Sequence, residues 1–291
     1  MLMRFANVDG VPTRYMEAGP ADAPVLLLVH GLTLTCDIWM EIADRLGADY
    51  RVLAPDMLGH GFTRPSVPAE EVDVGAKAAH LARFVEVVAN VPTMDVCGAS
   101  YGALVACNMY LRRPASVRRL VLHGSGSCFN DEAQLRKAVD RAHATYAGLL
   151  SASAPAGWRH HLAGSVFDGD TIPPALPHVL ALTYAQPWIH AYWHATIAAM
   201  SDPVKFRPYR VLERLEDIRA QTLLVWGLDD PGAPVAAARA ALTRMQKAHL
   251  ATLERCGHFP MFEHPAQTAE LMHAFLSNPP RDSDARIDSP L

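Results

Sequence analysis

The chain has no stretch suited to cross a bilayer and no basic stripe suited to bind nucleic acid. Its longest strongly apolar run, Pro24 to Val29, is far short of the roughly 20 residues a spanning helix needs. The 26 basic and 30 acidic residues leave a mild net charge of −4, which argues against nucleic acid as a main partner. The five cysteines (36, 97, 107, 128 and 256) are odd in number and form no C-x-x-C pair. Several sit in apolar runs, so they are read as reduced core residues of a cytoplasmic protein. The N-terminus carries no apolar h-region followed by a small-residue cleavage site, so no secretory leader is expected. Internal repeats, low-complexity tracts and a glycine-rich phosphate loop are also missing. The oligomeric state stays open, with a homodimer allowed.

What is there is a large apolar fraction. Half of the 291 residues are hydrophobic, enough for one large α/β domain with an inserted subdomain. Phe5 to Val8 and Val11 to Glu17 flank Asp9-Gly10, a hairpin turn pair. Val25 to Val29 reads as a strand buried on both faces, as in a parallel sheet. Strands are expected at 50–55, 94–97, 118–122, 222–226 and 249–253, and helices at 37–46, 73–90, 103–112, 211–218, 235–245 and 268–276. This βαβ rhythm implies a mostly parallel sheet covered by helices on both sides. Residues 126–208 break the rhythm: no strand is evident, prolines interrupt at 173, 174 and 177, and aromatics and histidines are frequent. The expected division is a core of residues 1–125 and 209–276, a helical cap at 126–208, and a disordered tail at 277–291.

The chemistry centres on Gly98-Ala99-Ser100-Tyr101-Gly102. A strand precedes it and a helical pattern (Ala103, Leu104, Ala106, Cys107, Tyr110) follows it. A strand that reverses into a helix within two or three residues leaves little room for side chains, so glycines at 98 and 102 let the backbones pass and Ser100 sits at the apex. A serine hydroxyl needs a base to take its proton, and the base needs an acid to hold its tautomer. After the strand at 222–226, Asp229 and Asp230 compete for the acid. Among fourteen histidines, His258 stands out because it follows Gly257 on a loop just after the last strand, whereas His264 and His273 fall in or near the closing helix. The oxyanion hole is assigned to two backbone N–H groups, those of Tyr101 and Leu32.

Jointly, His30-Gly31, Asp56 with Gly59-His60-Gly61, the Ser100 elbow, Trp226-Gly227-Leu228-Asp229-Asp230 and Gly257-His258 resemble the α/β-hydrolase fold family over about residues 4 to 276. The resemblance implies a mostly parallel eight-stranded sheet flanked by helices, with an inserted helical cap. It also favours Asp230 over Asp229, because the similar Trp-Gly-x-x-Asp turn in related hydrolases uses that place. Asp56-Met57-Leu58-Gly59-His60-Gly61-Phe62-Thr63 and Glu263-His264-Pro265 are similar to hydrolases that split C–C bonds in aromatic ring-cleavage products. Those enzymes commonly carry a glycine-rich loop after His-Gly, Asn before the serine and Trp after the histidine. Here Leu32-Thr33-Leu34, Ala99 and Phe259 stand in those places.

The expectation is therefore a serine hydrolase that cleaves a small hydrophobic carboxylic ester by two-step acyl transfer, with Ser100, Asp230 and His258 as the triad. C–C bond hydrolysis is the alternative, and a slow-turnover ligand receptor would carry the same residues. His30, Tyr101, Trp188, Trp193 and Phe259 are expected to touch a small-molecule substrate. No cofactor is called for. His190 and His194 are spaced to share a metal, but no third ligand is evident, so no metal site is assigned.

Overall fold

The computed structural model describes residues 1–152, 154–277 and 288–290. Leu2–Val8 (β1) and Val11–Ala18 (β2) form an antiparallel hairpin. Its turn residues, Asp9 and Gly10, both take positive φ, which matches the right-handed twist of the strands. The remaining strands are Val25–Val29 (β3), Arg51–Pro55 (β4), Met94–Ala99 (β5), Val117–His123 (β6), Gln221–Gly227 (β7), Ala248–Leu253 (β8) and Asp288–Pro290 (β9). The sheet runs in the order β1-β2-β4-β3-β5-β6-β7-β8-β9. From β4 onward every pairing is parallel, and all five residues of β3 are buried. Eight strands were expected. The short ninth adds to the edge and falls within the tail read as disordered, while Ser277 still belongs to the last helix. The other tail residues, 278–287 and 291, lie outside the described residues.

The helices are Met40–Leu46 (α1), Val74–Val88 (α2), Tyr101–Arg112 (α3), Gly126–Phe129 (α4), Glu132–Ala152 (α5), Pro155–Ala163 (α6), Leu176–Tyr184 (α7), Pro187–Ser201 (α8), Pro203–Phe206 (α9), Val235–Arg244 (α10), Pro260–Glu263 (α11) and Pro265–Ser277 (α12). The expected helix at 211–218 is instead a 3₁₀ run, Leu212–Asp217, because Arg214 leaves the helical region at φ −130°. The chain steps from β3 back to β4, then forward from β4 to β5 and β6. With right-handed crossovers, opposite steps place the connecting helices on opposite faces. Accordingly α1 packs with α12, and α2 with α3.

That reversal opens a crevice beyond the carboxyl ends of β3 and β5, where ligands bind in sheets of this kind. Between β6 and β7 the described residues form helices and turns without a strand. This insertion is tied to the core at separated points. Gln186 Nε2 donates to Gly61 O at 3.0 Å, Tyr192 Oη to Val67 O at 2.6 Å, and Arg141 Nη1 to Pro231 O at 3.1 Å.

Candidate active site

The elbow is built by close approach. A Cβ on Gly98 would lie 2.5 Å from Gly102 O and 2.6 Å from the Ala103 backbone. Only glycine allows β5 and α3 to touch this way. Ser100 sits at φ +54°, ψ −119°, a conformation costing about 1–3 kcal/mol that persists only where its surroundings hold it. They do so at both ends of its peptide unit. Ser100 N donates to His123 O at 2.8 Å, and Ser100 O accepts from Ser125 Oγ (2.7 Å), Ser127 Oγ (3.2 Å) and Ala103 N (3.1 Å). Ser125 lies just past the carboxyl end of its strand in the sequence reading, whereas nothing in the sequence points to Ser127.

After β7, Asp230 Oδ1 accepts from Gly232 N at 2.8 Å and Ala233 N at 2.9 Å. Oδ2 meets His258 Nδ1 at 2.7 Å. A carboxylate only accepts, so Nδ1 carries the proton and Nε2 is left as the basic nitrogen. The Asp230 side chain is 1% exposed and that of His258 14%. Burial lowers the His258 pKa, but the charge and hydrogen bond of Asp230, helped by Glu263, outweigh it, so the net shift is upward. Asp229 is exposed and gives only its backbone N–H, to Cys256 O. Asp230, rather than Asp229, is brought to His258.

Ser100, Tyr101, Leu32, His258 and Phe259 line one cavity of about 400 Å³. Its roof comes from the insertion, with Leu135, Val139, Tyr146, Ile197 and Met200 supplying apolar surface. Tyr101 opens α3, so its N–H has no intrahelical carbonyl to bond. Arg141, His160 and His161 add polar groups. Burial, with His160 and His258 nearby, lowers the His161 pKa to about 4, so its imidazole is neutral at pH 7.

Three residues expected to touch substrate lie elsewhere. His30 is fully buried under the loop after β3, with Nδ1–H donating to Gly31 O at 2.7 Å and Nε2 accepting from Met57 N at 2.9 Å. It shapes the loop that carries Leu32. Trp193 is buried inside the insertion, stacked on Tyr146 at 3.6 Å, and Trp188 bonds Gln186 and meets Tyr192 edge-on. Aromatic composition located the insertion but could not distinguish its interior from the cavity wall.

Asp56 belongs to the scaffold as well. It accepts from Arg14 Nε (2.6 Å) and Nη2 (3.1 Å), Cys36 N (2.9 Å) and Phe62 N (2.9 Å), joining β2 to the loops after β3 and β4. Cys36, Asp37 and Asp56 have ligand atoms close enough to share a metal ion. The Arg14 guanidinium contacts both carboxylates there, and burial holds the Cys36 thiol far above its ordinary pKa. The donor set fits a buried ion pair better than a cation site.

A profile of the alpha/beta hydrolase family matches residues 26–271. The chain belongs to this family. It is 31% identical over 259 residues to a pimeloyl-[acyl-carrier protein] methyl ester esterase of Aromatoleum aromaticum, covering 86% of this chain and 96% of the relative. It is 28% identical over 282 residues to a 2-hydroxy-6-oxo-6-(2'-aminophenyl)hexa-2,4-dienoic acid hydrolase of Metapseudomonas resinovorans, covering 94% and 90%. A solved membrane phospholipase A, a bacterial virulence factor, superposes with a TM-score of 0.77 at 26% identity over 95% of this chain and 86% of its own. These relatives support a hydrolase. No helix among the described residues is long and apolar enough to cross a membrane.

Proposed function

We propose that the chain is a cytoplasmic serine hydrolase of small hydrophobic carboxylic esters, with Ser100 as nucleophile, His258 as base and Asp230 as its orienting acid. The observation that carries this reading is the Asp230–His258 bond, with His258 and the strained Ser100 lining one cavity. With Nδ1–H held by Asp230, Nε2 accepts the proton of Ser100 as its Oγ attacks the ester carbonyl. The N–H groups of Leu32 and Tyr101 hold the oxyanion that forms. His258 then protonates the departing alcohol and activates water, which releases the acid and restores Ser100. Water is the one co-reactant and the chain supplies every other group, so no cofactor is required.

The helical insertion acts as the cap. Its apolar roof and a cavity of about 400 Å³ suit a modest apolar acyl or alcohol group rather than a polymer. The five unpaired buried cysteines are consistent with a reducing compartment.

Hydrolysis of p-nitrophenyl esters of two to ten acyl carbons tests the proposal, with Ser100→Ala run in parallel. Turnover lost in the mutant supports it, and the chain-length optimum sizes the pocket. An enzyme inert on the whole series overturns the ester reading. The Metapseudomonas relative then makes vinylogous diketones, the substrates of C–C bond hydrolysis, the next compounds to assay.

A further inference from the structure

Glu263 follows His258 by five residues at the end of α11 and is buried. Its carboxylate accepts three backbone N–H groups. Oε2 takes Gly257 N and Phe167 N, each at 2.8 Å, and Oε1 takes Phe259 N at 2.9 Å. Gly257 and Phe259 flank His258, whereas Phe167 belongs to the insertion. The N–H of His258 itself donates to Ser165 O, also in the insertion, at 2.7 Å. Three successive residues of the base loop are thus fastened to Glu263 or to the insertion, and Glu263 grips both.

We propose that Glu263 is a positioning residue that couples the seating of the helical insertion to the orientation of His258. The inference rests on His258 being the catalytic base. A buried carboxylate is costly unless charge-assisted hydrogen bonds hold it, and each of the three shortens the range in which the base loop can drift. Displacement of a reacting group by about 1 Å can cost on the order of 100-fold in rate. With Phe167 and Ser165 in place, the loop has one arrangement. With the insertion displaced, two of the four bonds are lost and Nε2 is no longer held toward the cavity.

Electrostatics gives a second handle. The ionisable groups acting on His258 are Asp230 after β7, Glu263 on α11 and Arg141 on α5, and His258 in turn acts on His161 on α6. Asp230 and Glu263 raise the His258 pKa, Arg141 lowers it, and His161 is neutral at pH 7.

The test uses the full chain with Glu263→Gln and Glu263→Asp. The His258 ring is titrated by NMR, with its signal assigned by loss in His258→Asn, and amide exchange is followed at 165–167 and 257–259. In Glu263→Gln, where charge and one acceptor are lost, His258 should titrate at lower pH. Exchange at both segments should quicken together, and kcat should fall about 10- to 100-fold. In Glu263→Asp the charge remains but the reach shortens, so kcat should fall while the titration stays near that of the wild type. A folded Glu263→Gln in which His258 titrates as in the wild type overturns the proposal, as does exchange that quickens at one segment alone. If Glu263→Gln does not fold, Glu263→Asp decides, and an unchanged kcat there overturns it. Titration and exchange need no substrate, so failure of the ester reading shows separately, as a wild type inert on every ester.

Discussion

His258 donates its Nδ1–H to Oδ2 of Asp230 at 2.7 Å, while the other carboxylate oxygen is already held by two backbone N–H groups. The carboxylate therefore cannot turn, and the tautomer of His258 is fixed by a turn of the main chain. Asp230→Asn should keep the fold and lose catalysis. With Oδ1 facing two donors, the amide oxygen takes that side and its NH₂ faces Nδ1, which forces the proton to Nε2. A fall in kcat of roughly 10³- to 10⁴-fold at neutral pH is expected, by analogy with other triads. Ester assays alongside thermal melts check it, since a melt as for wild type separates tautomer from unfolding.

The upward shift of the His258 pKa sets the pH response. His258 must be neutral to accept a proton, so kcat/KM should rise with pH through the raised value and level off above it. The acid limb should lie above the ordinary histidine value of about 6.5. A limb well below that value contradicts the assigned balance of charges. The same shift has a stability sign: protonated His258 is favoured in the fold. That contribution is fully present below the unfolded-state pKa and is lost as pH rises through the folded one.

Gly124 stands against the same pair at φ +46°, and a Cβ there would lie 2.9 Å from Asp230 Oδ2 and 3.2 Å from His258 Nδ1. Gly124→Ala should therefore lower kcat/KM by about 10- to 100-fold through displacement of the pair. The strained backbone should also cost about 1 kcal/mol or more of stability. Kinetics and urea unfolding report the two effects separately.

Lys77 is fully buried, donating to Val72 O at 2.7 Å and Thr196 Oγ1 at 3.2 Å, and burial lowers its pKa to about 7. Here the folded value is depressed, so the unfolded chain binds the proton more readily between pH 7 and 10. Stability should rise with pH across that window. Relative to Lys77→Met, the wild type should lose on the order of 2 kcal/mol as pH falls from 9 to 6. Denaturant melts of both proteins at the two pH values check the difference.

Arg14 and Asp56 are a buried pair with side chains 8% and 0% exposed. Asp56→Ala would leave the guanidinium with Asp37 as its one remaining carboxylate partner and orphan the N–H groups of Cys36 and Phe62. A loss of about 3–5 kcal/mol is expected, visible as a large drop in the urea midpoint.

The fold was legible because its signals are local. The unbroken apolar run of β3, the Asp9-Gly10 turn and the glycines flanking Ser100 each dictate a backbone, and the chain order of Ser100, Asp230 and His258 follows the strands. The rest was not legible because it depends on which way a side chain faces once loops and helices pack. His30, Trp188 and Trp193 have the right chemistry for a pocket, yet His30 lies beneath a loop, Trp193 inside the insertion and Trp188 beside Tyr192. Glu263 was visible as part of a short motif, but its role needs Phe167, 96 residues away, to be brought beside Gly257. Ser125 and Ser127 act through the carbonyl of Ser100, which no side-chain pattern displays.

The most direct measurement of the central claim is covalent capture of the nucleophile. The protein is treated with diethyl p-nitrophenyl phosphate, and intact-mass and peptide-mapping spectra are recorded for the wild type, Ser100→Ala and His258→Ala. The account predicts one diethylphosphoryl group per chain, located on Ser100, absent in Ser100→Ala and formed far more slowly in His258→Ala. An unlabelled wild type, or a label on another residue that persists in Ser100→Ala, would contradict it.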